Sequence, residues 1–315
     1  MSVSAPVEPA SAPSSAPEDV PLSAHVSVAA FRAGAWLSRH VSYDRGRRIA
    51  MRAGEAFHRA VPSARLNVER NLSRVLGQPP GSPLLDAAVL EAFRSYFLYW
   101  FETFHIRAMP IPELVSRTRF IGREHLDAAV AGGRGGILAL PHIGNWDAGG
   151  RWVTGQGYSM TAVAEELKPE AAFRLFLEHR RALGMGIVAL GGERVGEELT
   201  RLLAANELLC LVADRDLSGR GVAVEMFGAI AQVPAGPAML SLATGAPLMV
   251  CAAYHVEGGG WEVVVEAPVG IERTDSFRDD VTSLTRLVAA GFEREIASAP
   301  TQWHMFQDYW GSAPG

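Results

Sequence analysis

Apolar residues recur at three- and four-residue spacing through the first third of the chain, then give way to short apolar runs separated by polar stretches. The first pattern predicts helices over residues 25–40, 43–60 and 64–76. Gly77-Gln-Pro-Pro-Gly81 breaks it, and a long helix follows over 84–106. That helix carries Phe93, Tyr96, Phe97, Tyr99, Trp100, Phe101 and Phe104, which read either as packing under a sheet or as an acyl-chain groove or bilayer interface. From residue 118 the second pattern predicts strands at 136–140, 160–163, 186–190, 208–213, 223–226, 247–253 and 261–265. Helices are expected between them, near 169–183, 195–205, 236–244 and 276–298. Alternation of this kind predicts an α/β fold: a central mixed, mostly parallel sheet flanked by helices, preceded by an N-terminal helical region. Residues 1–22, rich in Ala, Pro and Ser, cannot bury a core and read as a disordered tail. Residues 23–312 read as a single domain with a helical part, 23–117, and an α/β part, 118–312.

Composition narrows the function classes. The net charge of −5 gives no global basic field for nucleic acid. Arg45, Arg47, Arg48, Arg52, Arg59, Arg65, Arg70 and Arg74 form a local basic cluster, either a solvated helix face or an attachment to anionic lipid. Of the 29 lysines and arginines only Lys168 is a lysine. Cys210 and Cys251 each sit inside an apolar run and read as buried strand residues, which fits a reducing compartment. The span 226–254 holds no charged residue, but Pro234, Gly236, Pro237, Gly245 and Pro247 punctuate it into a buried helix and a buried strand. No basic stretch followed by an apolar run opens the chain as a signal peptide does. A peripheral protein meeting lipid from the cytoplasmic side is therefore expected.

The candidate chemistry lies in His142-Ile-Gly-Asn-Trp-Asp147, directly after the strand predicted at 136–140. Open α/β sheets keep their sites at the carboxyl ends of strands. An imidazole there can take a proton from an alcohol, and Asp147 can hold it in one tautomer. On a regular helix the two residues would lie about 140° apart, so they meet only across a turn entering a helix, which Gly144 and Asn145 suit. No Gly-x-Ser-x-Gly nucleophile motif and no P-loop accompany the pair. Gly132-Gly-Arg-Gly-Gly136 precedes its strand, the wrong order for a dinucleotide fingerprint. His142, Asp147 and His179 lack a distinctive metal-ligand spacing, so no metal is expected.

The His-x4-Asp segment resembles that of the glycerolipid acyltransferases, and more closely the bacterial lipid A lauroyl/myristoyl acyltransferase superfamily. Within it the actinobacterial phosphatidylinositol mannoside acyltransferases are most similar. The resemblance rests on Leu140–Asp147, Val163-Ala-Glu-Glu-Leu-Lys-Pro-Glu170, Arg180-Arg-Ala-Leu-Gly184, Gly191-Gly-Glu-Arg194, Ala213-Asp-Arg-Asp-Leu217, Val224-Glu-Met-Phe-Gly228, Val233-Pro-Ala-Gly-Pro237 and Trp303-His-Met-Phe-Gln307, in family order. It implies transfer of a fatty acyl group, palmitoyl by expectation, from acyl-CoA to a mannose hydroxyl, with no cofactor and no covalent intermediate. His142 is then the base and Asp147 its orienting partner. Glu165 is expected to hold sugar hydroxyls, with Arg180 near the same site. Asp214, counted with His142 and Asp147 among the catalytic residues, stands where relatives carry a glutamate, one methylene longer, which leaves open whether Asp214 reaches the sugar or Asp216 takes over. Arg215 is expected to support charge there, and Lys168 to line the site near the CoA phosphates. The expected partners are acyl-CoA, a glycolipid acceptor and the membrane surface, with the protein a monomer. Two alternatives stand beside this: another glycolipid acceptor such as a lipid A-type sugar, or a silent lipid-binding protein of the same fold. Presence of both His142 and Asp147 favours the enzyme.

Overall fold

A computed structural model describes residues 40–311 together with Gly34, Trp36 and Ser38, except 166–169, 193, 217–218 and the side chains of 170–172. The tail over 1–22, most of the helix expected at 25–40, and Lys168 lie outside the described residues.

Among the described residues, α1 (Tyr43–Ala60), α2 (Pro62–Leu76), α3 (Pro83–Ile106) and α4 (Ile111–Ser116) precede the sheet. Local chemistry sets their ends. Gly77 stops α2 in the left-handed conformation at φ 62°. Ser82 caps α3, its hydroxyl accepting from the Leu85 N–H at 3.2 Å, and Pro83 opens the first turn. Gly46, Ala50 and Gly54 form a small-residue seam on α1 that lets it lie close on α3. A Cβ at Gly46 would sit 2.0 Å from the Phe101 ring, and one at Gly54 2.5 Å from the Phe93 carbonyl oxygen.

The α/β part runs β1 (Thr118–Ile121), α5 (Arg123–Ala131), β2 (Gly136–Leu140), α6 (Trp146–Gly155), β3 (Met160–Ala164), α7 (Glu170–Ala182) and β4 (Gly186–Ala189). It continues with α8 (Val195–Ala204), β5 (Leu208–Val212), β6 (Val222–Met226), β7 (Ala229–Val233), α9 (Gly236–Thr244), β8 (Leu248–His255), β9 (Trp261–Val265) and α10 (Phe277–Ser298). The seven-stranded sheet has the order β1-β9-β8-β2-β5-β3-β4, and its only antiparallel pairing is β8 with β9. The fold is thus the α/β architecture expected, with a mixed, mostly parallel sheet and an N-terminal helical part. β6 and β7 form a separate antiparallel hairpin. Its two-residue turn, Phe227-Gly228, has φ 50° and 71°; a phenylalanine there is strained where Asn or Gly is usual.

Every residue of β2 is buried, as a strand covered on both faces must be. Ile137 and Ala139 face one core with Leu209, Leu211, Val250, Leu284, Val288 and Phe292; Leu138 and Leu140 face another with Trp152, Val153, Leu126 and Met249. Cys210 and Cys251 are buried strand residues as expected, and burial pushes the Cys210 thiol up to about 12. The uncharged span 226–254 is the hairpin turn with β7, α9 and most of β8, and among the described residues no helix is long and apolar enough to cross a membrane. β1, β7, α4 and α5 were not expected from the sequence. The Thr-Arg-Phe-Ile sequence of β1 does not alternate, and the strand expected at 223–226 ends with β6, leaving out the short β7 that follows the two-residue turn.

Beneath the sheet's covering helix, Glu295 of α10 accepts from the Tyr254 hydroxyl. Burial, with Glu266 nearby, raises the Glu295 carboxyl to about 7. A group whose pKa rises on folding contributes stability that is fully present below its unfolded value and is lost as pH climbs through the folded one. Thermal stability measured from pH 4.5 to 7 is therefore expected to carry a falling contribution from Glu295. Glu295→Gln should remove that slope; a slope unchanged in the variant would assign it elsewhere.

Candidate active site

The site follows from where the connections leave the sheet. After β2 the chain passes through α6 on the face packed by Trp152 and Val153; after β5 it passes through the hairpin and α9 on the opposite face, packed by Ala238. A crevice opens between neighbouring parallel strands whose connections diverge in this way. His142 stands two residues beyond β2 and Asp214 two residues beyond β5.

These two side chains meet. His142 Nδ1 lies 2.5 Å from Asp214 Oδ1. Asp214 Oδ2 accepts from the His142 backbone N–H at 3.0 Å and from Trp303 Nε1–H at 2.9 Å. The Asp214 side chain has no exposed surface, whereas the His142 side chain is 29% exposed. Burial pushes the Asp214 carboxyl up, but the imidazole and the N–H donors outweigh it and hold it below the ordinary carboxylate range. An ionised carboxylate only accepts, so Nδ1 is the protonated nitrogen and Nε2 is left as a base.

The partner of His142 is therefore Asp214, where the sequence reading placed Asp147. Asp147 lies in the first turn of α6 and is turned away into the protein, 1% exposed. Its Oδ1 accepts from Arg180 Nε at 2.9 Å, and its Oδ2 from the Tyr99 hydroxyl at 3.2 Å and Thr103 Oγ1 at 3.5 Å. The intervening residues explain the divergence. Gly144, at φ 55°, turns the chain against β8, where a Cβ would meet the Ala253 oxygen at 2.0 Å. Asn145 then caps α6, accepting from the Ala148 N–H at 3.0 Å. Asp147 enters the helix on the face toward α3 and α7. Arg180 is consequently a buried ion-pair partner: burial opposes its charge, Asp147 and Tyr99 favour it, and the net effect raises its pKa.

Glu165 follows β3, and the exposed rim pairs it with Arg215 Nη2 at 2.7 Å. Arg215 Nη1 also reaches Gln307 Oε1 at 2.5 Å. Glu165 and Arg215 thus come together beside the dyad. Asp216 Oδ2 accepts from the Gly221 N–H at 2.7 Å, whereas the His142 ring meets Asp214. His179 packs edge-on against Phe104 and is 4% exposed.

Several residues that complete the site carried no assigned role in the sequence. The segment after α10 closes over the dyad: Trp303 donates to Asp214, the His304 N–H donates to the His142 carbonyl at 2.7 Å, and the Tyr309 hydroxyl donates to the Asp214 carbonyl at 2.8 Å. Asn71 of α2 pins this segment by donating to the carbonyls of Met305 and Gln307 at 3.0 and 2.7 Å. Trp303 and His304 had a sequence signal in the Trp303–Gln307 block; Asn71 and Tyr309 had none.

The comparisons with known proteins converge on one group. The profile described as bacterial lipid A biosynthesis acyltransferase matches residues 22–312. The chain belongs to this family. It is an acyltransferase, and it is similar to proteins named phosphatidylinositol mannoside acyltransferase. One from Mycolicibacterium smegmatis is 41% identical over 245 residues, 77% of this chain and 78% of that protein. Two from Mycobacterium tuberculosis are each 39% identical over 247 residues, 77% of this chain and 76% of theirs.

For this acyltransferase the two acids should separate in mutants. Asp214→Asn lets an amide N–H face His142 and favours the wrong tautomer, so acyl transfer is expected to fall by about 10³- to 10⁴-fold. Asp147→Asn leaves the tautomer alone but weakens the buried pair with Arg180, so stability drops and the rate falls far less. Initial rates corrected for folded fraction test this. A larger rate loss in Asp147→Asn would restore Asp147 as the orienting acid.

Proposed function

We propose that this acyltransferase moves a fatty acyl group, palmitoyl by preference, from acyl-CoA to a mannose hydroxyl of phosphatidylinositol mannosides. The observation that carries the reading is the 2.5 Å contact between His142 Nδ1 and a fully buried Asp214, which leaves Nε2 as the proton acceptor on a partly exposed ring. The names of the protein's relatives support the acceptor class.

In this mechanism Nε2 takes the proton of the sugar hydroxyl while that oxygen attacks the thioester carbonyl carbon. The carbonyl π pair moves to oxygen and the charge develops beside the amino end of α6, where the helix dipole favours it. Collapse of the tetrahedral species breaks the C–S bond, and the imidazolium returns its proton to the departing CoA sulfur. No enzyme nucleophile takes part, since the thioester is already activated. Glu165 and Arg215 are assigned to the sugar, Arg180 and Asp147 to the wall behind the base, and Lys168 to the CoA phosphates. No cofactor is required, and the protein works as a monomer.

The same reading places the protein on the cytoplasmic membrane face. Six of the eight arginines in the cluster fall into two sets. Arg47 lies 3.9 Å from Glu102, Arg70 pairs with Asp308 at 3.2 Å, and Arg74 stacks over Trp310 at 5.2 Å. Arg45, Arg48 and Arg52 instead share the exposed side of α1 with Ile49, which is 51% exposed. Cations flanking an apolar side chain suit an anionic lipid surface.

Transfer of label from palmitoyl-CoA to phosphatidylinositol mono- and dimannosides tests the proposal, with wild type and His142→Ala run together. Labelled mannoside is expected from wild type, with at least about a 10³-fold loss in the variant. CoA release without a lipid product would show that the acceptor is another glycolipid. Thioester left intact by a folded, lipid-binding wild type would favour the silent binder.

A further inference from the structure

One face of α3 is inserted against the His142 turn. Ser95, Tyr99 and Glu102 are spaced along it at intervals of four and three residues, so they lie on one side of the helix. Each contacts a different part of the site. Ser95 Oγ is 3.0 Å from His304 Nε2, and the His304 backbone N–H holds the His142 carbonyl. Tyr99 donates to Asp147. Glu102 has no exposed surface and is the only acid in the apolar run 95–106.

Glu102 gathers more donors than packing alone calls for. Its Oε1 accepts from the Tyr43 hydroxyl at 2.7 Å. Its Oε2 accepts from Trp261 Nε1–H at 2.7 Å, His255 Nδ1–H at 2.9 Å and Asn145 Nδ2–H at 3.3 Å. Burial opposes the charge on this carboxyl, but the His255 imidazole and the hydroxyl and N–H donors prevail, and it stays below the ordinary range.

Two arms run from this carboxylate to the catalytic turn. The first is direct: Asn145 is gripped at both ends of its amide, Nδ2 by Glu102 and Oδ1 by the Ala148 N–H of α6. The second passes through His255, whose backbone is bracketed by the Gln302 amide at 2.7 and 3.0 Å. The Gln302 carbonyl in turn accepts the Gly144 N–H at 2.9 Å. Both arms end at Gly144 and Asn145, two and three residues after His142.

We propose that Glu102 is a positioning residue for His142, acting through Asn145 and through the His255–Gln302 bracket. The proposal rests on the acyl-transfer reading in so far as His142 is its base. A carboxylate suits the position because it accepts every bond and donates none. An amide of the same shape must present an N–H₂ to one of these donors. Shifts of about 1 Å at a reacting group cost about 10²-fold in rate, so a modest relaxation of the turn is readable in turnover.

The test compares Glu102→Gln, Asn145→Ser and their double variant with Tyr43→Phe. Serine keeps the helix cap but removes the bond to Glu102. Of the two Glu102 oxygens Tyr43 meets only Oε1, away from both arms, and its hydroxyl also accepts from the Gly260 N–H, so Tyr43→Phe reports a merely structural loss. Melting temperature, kcat and KM for palmitoyl-CoA are measured in each. Glu102→Gln and Asn145→Ser are expected to lower kcat about 10-fold or more with KM within about twofold, and the double variant to fall little further. Tyr43→Phe should lower the melting temperature with kcat near wild type. The ¹⁵N resonances of the His142 ring are recorded in the same proteins and should move in Glu102→Gln but not in Tyr43→Phe. Unchanged kcat in Glu102→Gln, or losses that multiply in the double variant, would overturn the proposal. A wild type without acyl transfer would instead defeat the acyl-transfer reading, and the ring resonances would then decide positioning alone.

Discussion

An imidazole and a carboxylate from two neighbouring strand ends share one hydrogen bond of 2.5 Å, and the rest of the site is arranged around it. The pair exists because β2 and β5 run parallel and adjacent, in register from Gly136 with Leu208 to Leu140 with Val212. That register brings the residues two beyond each strand end side by side. Sequence separation is irrelevant to such a contact; His142 and Asp214 are 72 residues apart. The sheet holds them there because β2 is buried on both faces, so neither strand can slip by one residue without turning its core side chains the wrong way.

A buried anion needs donors on every side, and the fold supplies them from distant parts of the chain. The His142 backbone and Trp303 satisfy Asp214, and Trp303 arrives on the segment that Asn71 of α2 holds down. The N-terminal helices are therefore more than a cover for the sheet. Through Asn71, Tyr99 and Glu102 they fix the C-terminal segment, the Asp147–Arg180 pair and the Asn145 cap. Removing one partner from such buried networks is costly, by roughly 3–5 kcal/mol for a charged pair.

The periodicity of the chain carried much of the fold, because long helices and fully buried strands leave strong patterns. α1, α9, β2 and β9 have the predicted bounds, whereas the short β1, β7, α4 and α5 lack the length for a period to stand out. The candidate site was legible in where its residues lie. His142, Asp147, Asp214, Glu165, Arg180 and Arg215 all lie at the carboxyl ends of β2, β3 and β5 or on the helices beside them, and Lys168 falls outside the described residues. Its pairing was not legible. His142 and Asp147 are neighbours in sequence, yet one lies before a turn and the other inside a helix, and the geometry of that turn is set by Gly144 against Ala253 of a strand over a hundred residues away. Glu102 and Trp303 were hidden for the same reason, since their partners are defined only by tertiary contact.

The central claim, that Asp214 sets the state of the base, is tested most directly by ¹⁵N NMR of the His142 ring in wild type, Asp147→Asn and Asp214→Asn at neutral pH. The account predicts a proton on Nδ1 and none on Nε2 in wild type and in Asp147→Asn, with that tautomer lost in Asp214→Asn. A tautomer that survives Asp214→Asn and is lost in Asp147→Asn would contradict it.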